Sequence, residues 1–181
     1  MRKLANLALA LALLAVANAA KDYTPRPRPT RRVVVRPAAQ SQRVAKGNLV
    51  AVFRVAGARY GIDWRLLFAQ CWKESNFVLN ARGAAGEKGM AQFMPATWLT
   101  FGRGDPDDPR NAAEAQARYL AHIANYLRAR GITDPRMVIA GYNCGEGCAA
   151  AAGRFENLDP NVQLYVADVW RRYQFLAQYW R

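Results

Sequence analysis

A carboxylic acid at the end of an apolar-faced run, followed by amide, thioether and phenol side chains set among glycines, can do acid-assisted chemistry on an oxygen. Glu74 stands in Lys73-Glu74-Ser75-Asn76-Phe77, ahead of Gly86-Glu87-Lys88-Gly89-Met90-Ala91-Gln92-Phe93-Met94-Pro95 and Ala140-Gly141-Tyr142-Asn143-Cys144-Gly145. A carboxyl held away from water keeps its proton until a leaving oxygen takes it. Gln92 offers donors and acceptors to hydroxyl and acetamido groups, while Phe93 and Met94 offer apolar contact to the less polar face of a sugar ring. The Tyr142 phenol can orient the Glu74 carboxylate, and Asn143, beside a glycine turn, can reach a ligand. Each also has an ordinary reading: a terminal Glu paired with Lys or Arg, a helix end, and Met90, Phe93, Met94 and Trp98 divided between core and cleft.

The elements that must position these groups are helical. Leu49, Val52, Phe53 and Ala56 share one face of a segment closed by Tyr60-Gly61. Asp63 can cap a second helix, Trp64 to about Ser75, on which Glu74 follows Leu67 by seven residues and Cys71 by three, so it projects from the apolar side. Pro95 opens a short helix. Leu120, Ile123, Ala124 and Leu127 recur at helical spacing between about Arg110 and Arg130, where Gly131 ends the run, and Met137 to Tyr142 forms a further segment. Asp159-Pro160 starts the last helix, with Val162, Val166, Val169, Tyr173 and Leu176 inward. No run alternates long enough for a sheet, so the fold class is mainly α over residues 47–181, with a cleft.

Ahead of this domain, Arg2 and Lys3 precede an apolar run from Leu7 to Ala17 and then Ala17-Asn18-Ala19, which predicts a secretory signal peptide over 1–19. Retention of the segment as an anchor is the alternative. Residues 20–46 are a Pro/Arg-rich linker, and residues 21–46 hold eight basic residues against one acidic, so most of the formal charge of +13 lies outside the domain. In an exported protein such an arm meets anionic envelope polymers, membrane surfaces or proteins of an envelope or secretion machine; nucleic acid is not the expected partner, and a solvated tether is the plain alternative.

Three cysteines and one histidine, His122, match no common zinc pattern, and no cofactor or metal is expected. Cys144 and Cys148 flank Gly145-Glu146-Gly147 and are candidates for a short disulfide in an oxidising compartment; Cys71 paired with either is also open. The expected state is a monomer.

Glu74-Ser75, then Gly89-x-x-Gln92-x-Met94-Pro95-x-Thr97, then Tyr142-Asn143-x-Gly145 resemble, in order and spacing, the lytic transglycosylases of the lysozyme-like superfamily, relatives of goose-type lysozymes. Asp108-Pro109 through Tyr119-Leu120 is similar to another family segment. The resemblance implies a lysozyme-like helical domain, Glu74 as sole catalytic acid and base, and Ser75, Gln92, Phe93, Met94, Tyr142 and Asn143 about the substrate. It implies glycan strands of peptidoglycan as partner and cleavage of the bond between N-acetylmuramic acid and N-acetylglucosamine, leaving 1,6-anhydro ends. A hydrolysing lysozyme and a noncatalytic wall-binding module are the alternatives. The chain departs from the family at Gly83, where a Ser is common, at Glu87, where Ala is usual, at Cys144, and at Asn161-Val162-Gln163, which replaces an acidic motif.

Overall fold

A computed structural model describes residues 46–180; the predicted signal segment and the arm as far as residue 45 lie outside them. Seven α-helices occur among the described residues. They are α1 (Lys46–Tyr60), α2 (Trp64–Ser75), α3 (Pro95–Phe101), α4 (Pro109–Arg128), α5 (Pro135–Cys144), α6 (Glu146–Ala152) and α7 (Pro160–Tyr179), with a 3-10 turn at Phe155–Asn157.

Four starts share one device. Asp63, Asp108, Asp134 and Asp159 each accept a backbone N–H of the turn they open, and the last three precede a proline that needs no donor. The expected starts at 64 and 160 agree with this. Helix α6 was not expected, because Gly145-Glu146-Gly147 reads as a flexible connection.

Helix α2 lies between α1 and α7 and touches α4; α5 rests on α4, α6 and α7. Phe53, Leu67, Leu120, Ile123, Ile139 and Val166 are fully buried between them. Burying a side chain of this size stabilises by roughly 1.5–3 kcal/mol, so this shared interior sets where the helix ends lie. Gly141 lets α5 press on α4, since a Cβ there would stand 2.6 Å from Ile123 Cγ2.

The α2–α7 contact is tied along its length. Arg65 Nε donates to Trp180 O at 2.7 Å and Tyr173 Oη donates to Asp63 Oδ2 at 3.1 Å. Lys73 Nζ meets Asp168 Oδ2 at 2.7 Å, Arg172 Nε meets Asp168 Oδ1 at 3.1 Å, and the Arg172 guanidinium lies over the Trp72 ring. Burial pushes the Asp168 carboxyl up, but hydrogen bonds from Lys73 and Arg172 outweigh it and hold the group below its ordinary range. A carboxyl depressed in the folded state contributes stability above its unfolded pKa, about 3.9, and loses it as pH falls through the folded value. Asp168→Asn is therefore expected to lower stability at pH 7 in urea unfolding, by a margin that shrinks steadily as the pH is taken below about 4.

Candidate active site

Glu74 lies in the last turn of α2, which ends at Ser75 because the chain leaves helical geometry at Asn76. Asn76 and Phe77 both adopt left-handed backbone, φ 52° and 62°, and Asn76 N–H closes the helix on Trp72 O at 3.1 Å. The chain turns back as a loop beneath the helix end, where Ser75 Oγ donates to Met90 O at 2.8 Å. Paired backbone bonds between Lys88 and Phe93, at 2.9 and 3.0 Å, and a bidentate Arg82–Asp107 pair hold that loop. Gly89 has φ +74°, and a Cβ there would stand 2.2 Å from Pro106 O. Only glycine suits that position.

Gln92 itself has φ 53°, an uncommon conformation for a side chain of this kind, and its Nε2 donates to Gly89 O at 2.8 Å. The turn thus delivers the Gln92 side chain, 4% exposed, to a hollow that Glu74 also lines. Phe93, Met94 and Thr97 form the adjoining wall from the loop and α3. Tyr119 of α4, with Tyr142, Cys144 and Gly145 of α5 and its end, close the far side. Atom-free space in this partly open hollow, adjoining solvent included, amounts to about 530 Å³.

Glu74 is only 4% exposed. Its Oε1 accepts a hydrogen bond from Tyr165 Oη of α7 at 2.6 Å, and Tyr165 Oη accepts from Gln70 Nε2 at 3.2 Å. The expectation placed Tyr142 in the orienting role. In the structure the short bond to Oε1 comes from Tyr165, while Tyr142 Oη donates to Ala91 O at 2.9 Å and so braces the loop under Gln92. Sequence reasoning missed Tyr165 because it stands 91 residues from Glu74 and meets it only through the crossing of α2 and α7.

The other expected residues divide. Gln92, Phe93, Met94 and Tyr142 line the hollow with Glu74; Ser75 and Asn143 are not among its lining residues, and Ser75 serves the helix–loop tie. Of the four residues split between core and cleft, Met90 and Phe93 are buried, whereas Met94 and Trp98 are partly exposed. Gly83 and Glu87 are one linked departure. Glu87 Oε2 accepts from Ala85 N–H at 3.0 Å, and a Cβ on Gly83 would fall 2.0 Å from that oxygen, so the carboxylate occupies the room a residue 83 side chain would need.

Cys144 and Cys148 form a disulfide across the first turn of α6. Glu146, enclosed by it, accepts from Tyr119 Oη at 3.3 Å and faces His122 Nε2 at 3.4 Å, at the rim of the hollow. Cys71 is a free, buried thiol; burial pushes it far above the ordinary cysteine range, against the opposing effect of its contact with Gln116 Oε1 at 3.2 Å.

Solved lytic transglycosylases share this helical fold. The chain superimposes on an inactive mutant of the lytic transglycosylase Slt from Pseudomonas aeruginosa with TM-score 0.62 at 20% identity, covering 71% of this chain and 24% of that one. On the 70 kDa soluble lytic transglycosylase of Escherichia coli the TM-score is 0.56 at 20% identity, over 70% of this chain and 24% of that one.

Residues 51–160, more than half of the chain, match the family described as the transglycosylase SLT domain, and the chain belongs to that family. Similar proteins include the membrane-bound lytic murein transglycosylase F of Ectopseudomonas mendocina, 32% identical over 124 residues, and that of Alteromonas mediterranea, 34% identical over 121. Each alignment takes in 65% of this chain and about a quarter of the relative, 25% and 26%.

One chemical consequence of this layout is countable. Thiol titration of the native protein without reductant is expected to find no accessible group, denaturation to release one thiol, from Cys71, and reduction of the denatured chain to raise the count to three. A reactive thiol in the native state contradicts the buried Cys71.

Proposed function

We propose that this domain is a peptidoglycan lytic transglycosylase, with Glu74 as acid and then base. The observation that carries the reading is the placement of one carboxyl, nearly shut from water, on the wall of a hollow that also holds Gln92, Met94 and three tyrosine or phenylalanine rings. Family membership agrees with it, and the relatives named as murein transglycosylases supply the substrate class.

The chemistry follows from what a lone acid can do. Glycosidases that work with two carboxyls use the second as nucleophile or base. Here Glu74 protonates the oxygen joining C1 of N-acetylmuramic acid to N-acetylglucosamine, and the C1–O bond breaks. Developing positive charge at C1 is met by the sugar's own 2-acetamido oxygen. The 6-hydroxyl of the same sugar then attacks C1 and gives its proton to Glu74, which closes the 1,6-anhydro ring and restores the acid without consuming water. Gln92 suits the acetamido and hydroxyl groups, and Met94 and Phe93 suit the ring faces.

We further propose export by the segment 1–19 and service in the cell envelope, with the basic arm of residues 20–46 resting on anionic envelope material. The domain acts as a monomer in this reading, and proteins of an envelope or secretion machine are candidates for binding the arm.

Digestion of purified sacculi with mass analysis of the fragments tests the chemistry. Anhydro ends, lighter than reducing ends by one water, are expected; reducing ends alone indicate hydrolysis instead. Glu74→Gln is expected to lose about 10²- to 10⁴-fold in rate while remaining folded. Undiminished lysis by that variant removes the assignment and leaves a wall-binding module.

A further inference from the structure

Gln70 lies one helical turn before Glu74 on α2 and is wholly buried. An amide shut from water is costly unless it is bonded, and an apolar residue fills such a helix position more easily. Its Nε2 donates to Tyr165 Oη at 3.2 Å, and Tyr165 Oη donates to Glu74 Oε1 at 2.6 Å, whereas Gln70 Oε1 is buried with no hydrogen-bond partner. The amide is therefore turned so that the donor end is used and the acceptor end is sacrificed.

That orientation has a directional effect. A phenol carries one proton, and an N–H aimed at its oxygen turns that proton away, toward the remaining acceptor. We propose that Gln70 is a positioning residue for Glu74: it fixes Tyr165 as a donor to Oε1, which commits that oxygen to the phenol and assigns the transferable proton to Oε2. The inference rests on Glu74 as the acid. When the proton leaves, negative charge grows on a carboxylate that already accepts a phenol bond, and that bond is strengthened by the amide behind it. Loss of the Gln70 donor leaves the carboxylate less well stabilised, so Glu74 holds its proton to higher pH.

The other charged or titratable groups about Glu74 are the Tyr119 and Tyr142 phenols from α4 and α5, Glu87 in the loop, Glu146 with His122 at the rim, and the Lys73–Asp168 pair joining α2 to α7. None of them changes when Gln70 is replaced by a neutral residue. Gln116 supplies the control. It is equally buried, and it bonds to Cys71 Sγ and Leu67 O rather than to Tyr165.

The test measures pH profiles of cleavage of soluble glycan strands by the full chain carrying Gln70→Met, an unbranched substitution of similar volume, beside Gln116→Met, Tyr165→Phe and Glu74→Gln. Gln70→Met is expected to lower kcat about three- to tenfold with KM unchanged. Its alkaline limb should move up by roughly half to one pH unit. In a Tyr165→Phe background the same change should have no further effect, because the amide acts through the phenol. Gln116→Met should lower Tm and leave the limb in place.

An unmoved limb in Gln70→Met, or an equal shift in Gln116→Met, overturns the positioning role. If Gln70→Met does not fold, the Tyr165→Phe profile decides, since an unmoved limb there removes the phenol through which Gln70 would act. Activity retained by Glu74→Gln sinks the acid assignment itself, which is a separate result.

Discussion

The end of α2 carries two consecutive side chains with opposite tasks, and both are answered by α7. Lys73 and Glu74 lie about 100° apart around the helix, as 3.6 residues per turn requires, so one reaches the surface of the α2–α7 seam and the other its interior. Lys73 meets Asp168 where water still reaches, and Glu74 meets Tyr165 where it hardly does. Exposed ion pairs contribute little to stability, and this one matters more for register: it keeps α7 at the height that brings Tyr165 to the carboxyl. A shift of α7 by one residue along its axis would carry the phenol about 1.5 Å, enough to lose a bond of 2.6 Å.

What the chain discloses before any coordinates are known divides along the line between local and distant causes. Asp63 and the pair Asp159-Pro160 mark the starts of α2 and α7, and the apolar spacing marks the buried faces, because both are properties of a few neighbouring residues. The hollow's loop side was legible as a short local pattern, since Gly89 to Gln92 form one turn and Met94 follows two residues on, just before α3. Tyr165 and Gln70 were not. A tyrosine in an apolar helix and a glutamine one turn before an acid each look ordinary, and their shared purpose exists only once α7 crosses α2. Helix α6 escaped for a local reason: Gly145 and Gly147 argue against a helix, even though the Cys144–Cys148 pairing was among those the sequence left open.

The loop that carries Gln92 shows how a family pattern can be kept while its supports change. Glu87 fills the space beside Gly83 and bonds a backbone N–H of its own turn, so in this chain the Glu87 side chain occupies the room that a side chain at 83 would need. Gln92 meanwhile holds a left-handed backbone that few residues adopt. Such a conformation persists only where neighbours over-determine it, and here Gly89 O takes both the Gln92 backbone N–H, at 3.1 Å, and its amide, at 2.8 Å. The amide is thereby held in one orientation by its own turn.

Opposite this fixed loop, the far wall is stiffened by different means. Tyr119 packs against Phe101, Phe93 and Tyr142, and its hydroxyl reaches Glu146, whose backbone lies inside the ring closed by Cys144 and Cys148. One wall is thus set by backbone geometry within the loop and the other by aromatic packing and a covalent clasp. Glu74 sits between them on a helix end that belongs to the core. A buried carboxyl on such a helix end keeps a fixed place relative to both walls, because neither wall can adjust without breaking backbone hydrogen bonds or aromatic packing. The buried Gln70 amide, whose carbonyl has no hydrogen-bond partner, is the energetic cost carried beside this carboxyl.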